Sequence, residues 1–180
     1  MAGKVDVLPR WVDPLKMADQ RAGLDGDVPF SCMPRLAGAG LRPGNGAARA
    51  RLEFDRHPVG FALVRIGVRA ALVCVCQRCL ADMRVELDRR SDLAVVDPAG
   101  IGAGVDERYE TVALEQGRLR VQVLVEDEIL LAVPDIPVHK DPADCDRAML
   151  ALQGSPVAEK AEERRENPFE VLKELRNKNG

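Results

Sequence analysis

Between positions 62 and 87 apolar residues recur at every second position, and this period limits what the chain can fold into more than any other feature. Ala62, Val64, Ile66, Val68, Ala70 and Leu72 fall on one side, while Arg65 and Arg69 point the other way. That is the pattern of one long, half-buried strand. Cys74 and Cys76 continue its apolar side. After a break at Gln77-Arg78, Met83, Val85 and Leu87 alternate with Arg84, Glu86 and Asp88, which predicts a second strand returning antiparallel to the first. The segment Cys76-Gln77-Arg78-Cys79 is then the tip of a hairpin. Upstream, Ala50, Leu52 and Phe54 alternate with Arg49, Arg51 and Glu53, and His57-Pro58 starts the turn between that strand and the next.

Other elements follow from caps and breakers. Asp13-Pro14 before LKMADQRA reads as a helix with an Asp N-cap and proline at its first position, ended by Gly23. The glycine-rich stretch 37–47 predicts a mobile surface loop, 97–107 predicts another, and 109–114 a short strand. Residues 119–133 are ambiguous, because Leu119, Val121, Val123 and Val125 alternate like a strand whereas Val121, Val125, Ile129 and Ala132 follow helical spacing; their length and the EDEILLA end favour a helix, which Pro134 terminates. The expected fold is α+β: a curled or barrel-like antiparallel β-sheet with a covering helix and a short C-terminal helix. Residues 1–152 form a single domain in this reading, 153–166 a polar flexible linker and 167–180 the short helix and tail. Asn167 supplies the N-cap of that helix, Pro168 its first position and Glu170 the capping-box partner. Phe169, Leu172 and Leu175 give it an apolar stripe, to dock on its own domain or in a partner's groove.

A length of 180 residues suffices for a core without disulfide staples. Aromatic residues are only 3% of the chain, which argues against a platform of stacked rings for single-stranded nucleic acid. The net charge of −3 conceals an asymmetry: residues 1–90 hold 15 Lys and Arg against 10 Asp and Glu, and residues 91–180 hold 11 against 19. The basic half is either a surface for RNA, through arginines such as Arg49, Arg51, Arg65, Arg69 and Arg78, or the partner of the acidic half. No run of about 18 apolar residues exists to span a bilayer, so a cytoplasmic protein is expected. The odd number of cysteines, five, fits reduced thiols. There is no Walker loop, dinucleotide-binding glycine motif, nucleophile elbow or His-Glu-x-x-His, and neither an enzyme nor a small-molecule substrate is expected.

Two thiols three residues apart at a tight turn can ligate one tetrahedral zinc ion. His139 and Cys145, in a Pro-rich loop, complete a candidate set Cys76, Cys79, His139, Cys145. The alternatives are reduced thiols packing as small apolar groups, which Cys74 on the same side favours, and a redox or zinc-sensing module. Thioredoxin-type pairs, however, open a helix, and here strands flank the pair. Glu126-Asp127-Glu128 point in three directions on a helix, so at least one must pair with an arginine of the basic half, such as Arg78, or the three form a contact surface.

Taken together, VCQRCL (75–80), VEDEILLAVPDIPVH (125–139) followed by Cys145, and NPFEVLKELR (167–176) closely resemble the bacterial YceD family, the large ribosomal RNA subunit accumulation proteins. The resemblance extends to DPLKMADQRAGLDGDVP (13–29). It implies a non-enzymatic factor needed for accumulation or processing of large-subunit (23S) rRNA in ribosome biogenesis. Its partners would be the rRNA precursor or ribosome assembly and RNA-processing proteins, and it would have no membrane partner. An adaptor that binds proteins without touching RNA is the alternative. For contact with RNA or a partner, the resemblance points to Arg78, Glu126, Asp127, Glu128, Asn167, Pro168 and Phe169, and in the adaptor reading Phe169 and Leu172 of the C-terminal helix are the anchors.

Overall fold

The computed structural model describes residues 2–96, 105 and 108–145. In chain order the elements are β1 (Ala2–Val7), β2 (Trp11–Val12), α1 (Pro14–Asp19), β3 (Gly23–Pro29), α2 (Arg35–Gly38), β4 (Ala47–Arg56), β5 (Ala62–Val75), β6 (Asp82–Val96), β7 (Glu110–Ala113), β8 (Leu119–Arg120) and α3 (Val121–Ala132). The linker at 153–166 and the helix at 167–180, with Asn167, Pro168, Phe169 and Leu172, lie outside the described residues, as does most of the loop 97–107.

The architecture is α+β. Six strands form one sheet in the order β1-β3-β4-β5-β6-β7, and β2 and β8 form a small second one. The four central strands are antiparallel, as the alternation requires, whereas the outer pairs β1/β3 and β6/β7 are parallel. Among the described residues the sheet is open, with no further strand beside β1 or β7, rather than barrel-like. Its two faces explain why. On one face Ala50, Leu52, Val64, Ile66, Val68 and Leu72 pack with Ala18 of α1 and with Val121, Leu124, Val125 and Ile129 of α3. The other carries charged side chains. Closing around the first face would expel the helices, and closing around the second would bury charge at high cost.

α1 starts where its cap predicts, Asp13 accepting a hydrogen bond from the Lys16 amide at 3.1 Å. It ends earlier than expected. Arg21, at φ +46°, turns the chain, and Gly23 opens β3 instead of stopping the helix. The stretch 37–47 is likewise no mobile excursion. Leu36 and Leu41 are fully buried, α2 begins at Arg35, and Arg42 exchanges both backbone hydrogen bonds with Val73 of β5 at 2.7 and 3.1 Å. Two apolar anchors and a backbone bridge thus overrule the glycine content. Residues 119–133 satisfy both patterns in turn: Leu119–Arg120 pair with β2, and α3 follows to Ala132, two residues before Pro134. Among the described residues no helix is long and apolar enough to cross a membrane.

Candidate metal centre

The β5–β6 hairpin, the longest in the sheet, carries Cys76-Gln77-Arg78-Cys79 at its tip. The turn is closed by the Cys76 amide donating to the Ala81 carbonyl and the Leu80 amide donating to the Cys76 carbonyl, both at 2.9 Å. Leu80 adopts φ +60° to make this turn. Pro134 releases the chain from α3 toward the same tip, where the Gln77 amide donates to the Pro137 carbonyl at 2.8 Å. A single helical turn, Pro142–Asp144, capped by the Asp141 carboxylate on the Ala143 amide at 2.8 Å, then presents Cys145.

These two segments bring together Cys76, Cys79, His139 and Cys145, whose ligand atoms all lie within 4.8 Å of one another. The set could hold a metal ion. His139 Nδ1 is 3.6 Å from Cys79 Sγ and 3.5 Å from Cys145 Sγ. The three cysteines are buried in a small cluster with Ala81 and Met83, separate from the main core, to which Cys74 belongs. Burial pushes the Cys76 thiol up, yet the backbone amides of Cys79, His139 and Arg78 directed at its sulfur outweigh that and bring it down to about 5. Such amides favour thiolate over thiol. Cys145 is driven the other way, to about 11, by burial and then by the neighbouring sulfurs of Cys79 and Cys76. Several thiolates cannot accumulate in one buried pocket without a cation. Arg78 supplies part of that charge, with Nη1 3.8 Å from Cys145 Sγ.

The acidic triplet is engaged elsewhere. Glu126 is buried and accepts from the Arg35 amide at 2.6 Å and Arg35 Nε at 2.9 Å, and Asp127 pairs with Arg35 Nη1 at 2.7 Å. Arg35 is held above its ordinary value by Asp127 first and Glu126 second. Glu128, also buried, accepts from Arg89 Nε at 2.8 Å and Ser91 Oγ at 2.6 Å. The basic half does neutralise the acids, through Arg35 and Arg89. Sequence reasoning missed both, although one signal was present: Arg89 and Ser91 share the parity of Leu87 and Leu93, and a polar pair at inward positions of a strand calls for a buried partner.

On the uncovered face, Arg49 pairs with Asp25 and Asp27, Arg51 with Glu53, and Arg69 with Asp88. His57 stacks on Phe61 with ring centres 4.4 Å apart.

The family described as Large ribosomal RNA subunit accumulation protein YceD matches residues 64–176, a span that includes all four clustered ligands. A Haemophilus influenzae protein named Large ribosomal RNA subunit accumulation protein YceD is 26% identical over 174 residues, covering 95% of this chain and 97% of that one. No solved structure matches. With the family match extending over more than half of the sequence, from β5 through the ligand-bearing loop and beyond, the chain belongs to the YceD family.

Proposed function

We propose that this protein is a non-enzymatic cytoplasmic factor for the accumulation of large-subunit rRNA, contacting the rRNA precursor within assembling particles, with one zinc ion fixing its scaffold. The observation that carries the rRNA role is its similarity, over nearly its whole length, to the Haemophilus influenzae protein of that name. The zinc reading rests on donor chemistry. In a tetrahedral site with Zn–S near 2.3 Å and Zn–N near 2.05 Å, sulfur and nitrogen stand about 3.5 Å apart, and His139 Nδ1 lies 3.5 and 3.6 Å from two sulfurs. Three cysteines and a histidine fill all four positions, so the ion would have no open site for substrate and would serve folding. Three thiolates and Zn2+ sum to one negative charge, which Arg78 offsets.

The test is a deletion strain in its native cells, with the ratio of 23S to 16S rRNA as readout. The expected result is a depressed ratio, restored by the wild-type gene and not by Cys79→Ser. A normal ratio in the deletion strain would overturn the rRNA role.

A further inference from the structure

The uncovered face of the sheet has a glycine where a side chain would be expected. Gly67 lies mid-strand in β5, paired with Arg51 of β4 on one side and Arg90 of β6 on the other, while Arg65 and Arg69 flank it along the strand. Four arginines therefore surround one missing side chain. They line a trough of about 520 Å³.

Glycine weakens the interior of a strand, and it usually marks a bulge, a sharp bend or a close approach. Three of the structural reasons are absent here. The register runs unbroken through Gly67 with both neighbours. Its φ is not in the left-handed region, where Gly40, Gly44, Gly60 and Gly117 lie. A Cβ at this position would meet nothing nearer than Arg90 Cγ at 3.8 Å. The protein itself gives no cause for the glycine, which leaves close approach by something outside it.

The charge pattern indicates what approaches. Arg49 and Arg69 stand directly opposite each other across β4 and β5, a like-charge pairing that costs stability in an antiparallel sheet. Four acids line the same trough: Glu53 and Asp88 hold Arg51 and Arg69, Asp25 pairs with Arg49, and Asp92 stands opposite Arg65 in the register, against five arginines in all. Arg65 reaches its nearest acid, Asp55, only at 3.8 Å, and Arg90 is exposed with no ion pair among the described residues. Guanidinium groups not fully neutralised, arranged around a hole, match the oxygens of a phosphate.

We propose that this trough, centred on Gly67 and ringed by Arg51, Arg65, Arg69 and Arg90, is a docking site for the RNA sugar-phosphate backbone, one phosphate entering above the glycine. The site rests on the reading of the chain as a large-subunit rRNA factor and adds where the RNA sits. Readout is of phosphates, not base edges, so binding is weakly sequence-dependent and strongly salt-dependent. The acidic residues at the rim restrict entry to a backbone that lines up with the arginines.

The test uses the full chain and a fluorescein-labelled transcript of large-subunit precursor rRNA, followed by anisotropy over a salt series. Arg90→Ala and Arg65→Ala are expected to weaken binding by about fivefold each and to lower the salt slope by about one unit. Lys16→Ala, an equal loss of charge on α1 at the covered face, should change it less than about twofold. Gly67→Thr separates a binding role from a structural one: a β-branched residue in an open strand position should raise the melting temperature by about 3 °C and still weaken binding by about tenfold. Arg90→Lys, which keeps the charge but not the guanidinium fork, should recover only part of the affinity lost in Arg90→Ala. Wild-type binding that none of the ring variants alters would overturn the site. So would a wild-type chain that binds no transcript yet restores the 23S to 16S ratio, since it would then act through proteins. A deletion strain with normal rRNA would instead remove the functional reading, whatever the binding data show.

Discussion

Cys79 and His139 are 60 positions apart in the chain and 3.6 Å apart in the fold. No continuous strand or helix joins them; a turn at the hairpin tip and a loop after α3 meet through one backbone hydrogen bond, Gln77 to Pro137, at 2.8 Å. Two irregular segments with so little backbone pairing would be tied together by an ion held between Cys76, Cys79, His139 and Cys145, the reading proposed above.

Native mass spectrometry of the purified chain should therefore show one zinc ion, and none for Cys79→Ser. Chelation should lower the melting temperature by about 10 °C or more, because the free energy of closing a structural zinc site is folding free energy. A metal-free chain with an unchanged melting curve in chelator would remove zinc from this account.

Arg89→Ala should destabilise the fold by about 3 kcal/mol, since it leaves the Glu128 carboxylate buried with only Ser91 to satisfy it. Urea unfolding checks this as a lower midpoint at constant slope. A variant with native stability but impaired rRNA accumulation would instead make the acidic triplet a contact surface.

Leu36→Ala should cost about 3 kcal/mol, in the range for deleting a buried leucine side chain, because Leu36 is wholly buried beside α3. Were 35–46 a free loop, the substitution would be silent. Hydrogen exchange at Arg42 and Val73, which bond each other, gives a second measure of the same docking.

Asp13 should show a specific pH response. Its carboxyl lies below the ordinary carboxylate value, chiefly through the bond from the Lys16 amide. With the folded value depressed, the cap's contribution is present above the ordinary value near 3.8 and is lost as pH falls through the lowered one. Asp13→Ala should cost about 1 kcal/mol at neutral pH. Asp13→Asn should keep most of that stability and flatten the acid side of the profile. Equal acid sensitivity in wild type and Asp13→Asn would refute the assignment.

The central strands were legible because period two has one structural meaning when it persists, as it does from Ala62 to Leu72. The hairpin tip followed from the break at Gln77-Arg78, and the grouping of Cys76, Cys79, His139 and Cys145 from residue types in two loops. β1 and β3 were not legible: glycine, aspartate and proline in GLDGDVP mask the inward positions Leu24, Gly26 and Val28, which are set by pairing with β4 rather than by propensity. The docked stretch 35–46 was misread for a related reason, since composition reports backbone freedom but not the two leucines that remove it. Arg51, Arg65 and Arg69 were legible as basic residues suited to RNA, but not Arg90 or the arrangement around Gly67, which needs the register that places Arg51 and Arg90 on either side of it.

The spacing of the four clustered cysteine and histidine residues also bears on how the protein is made. Cys76 and Cys79 leave the ribosome well before Cys145, and at roughly 5 to 20 residues per second the interval is on the order of 3 to 13 s. During that time the hairpin can form, because its contacts are local, but its tip offers a metal only two sulfurs. Binding of an ion by all four side chains would thus require a nascent chain whose α3 has already emerged, and a chain truncated before His139 would present an incomplete set.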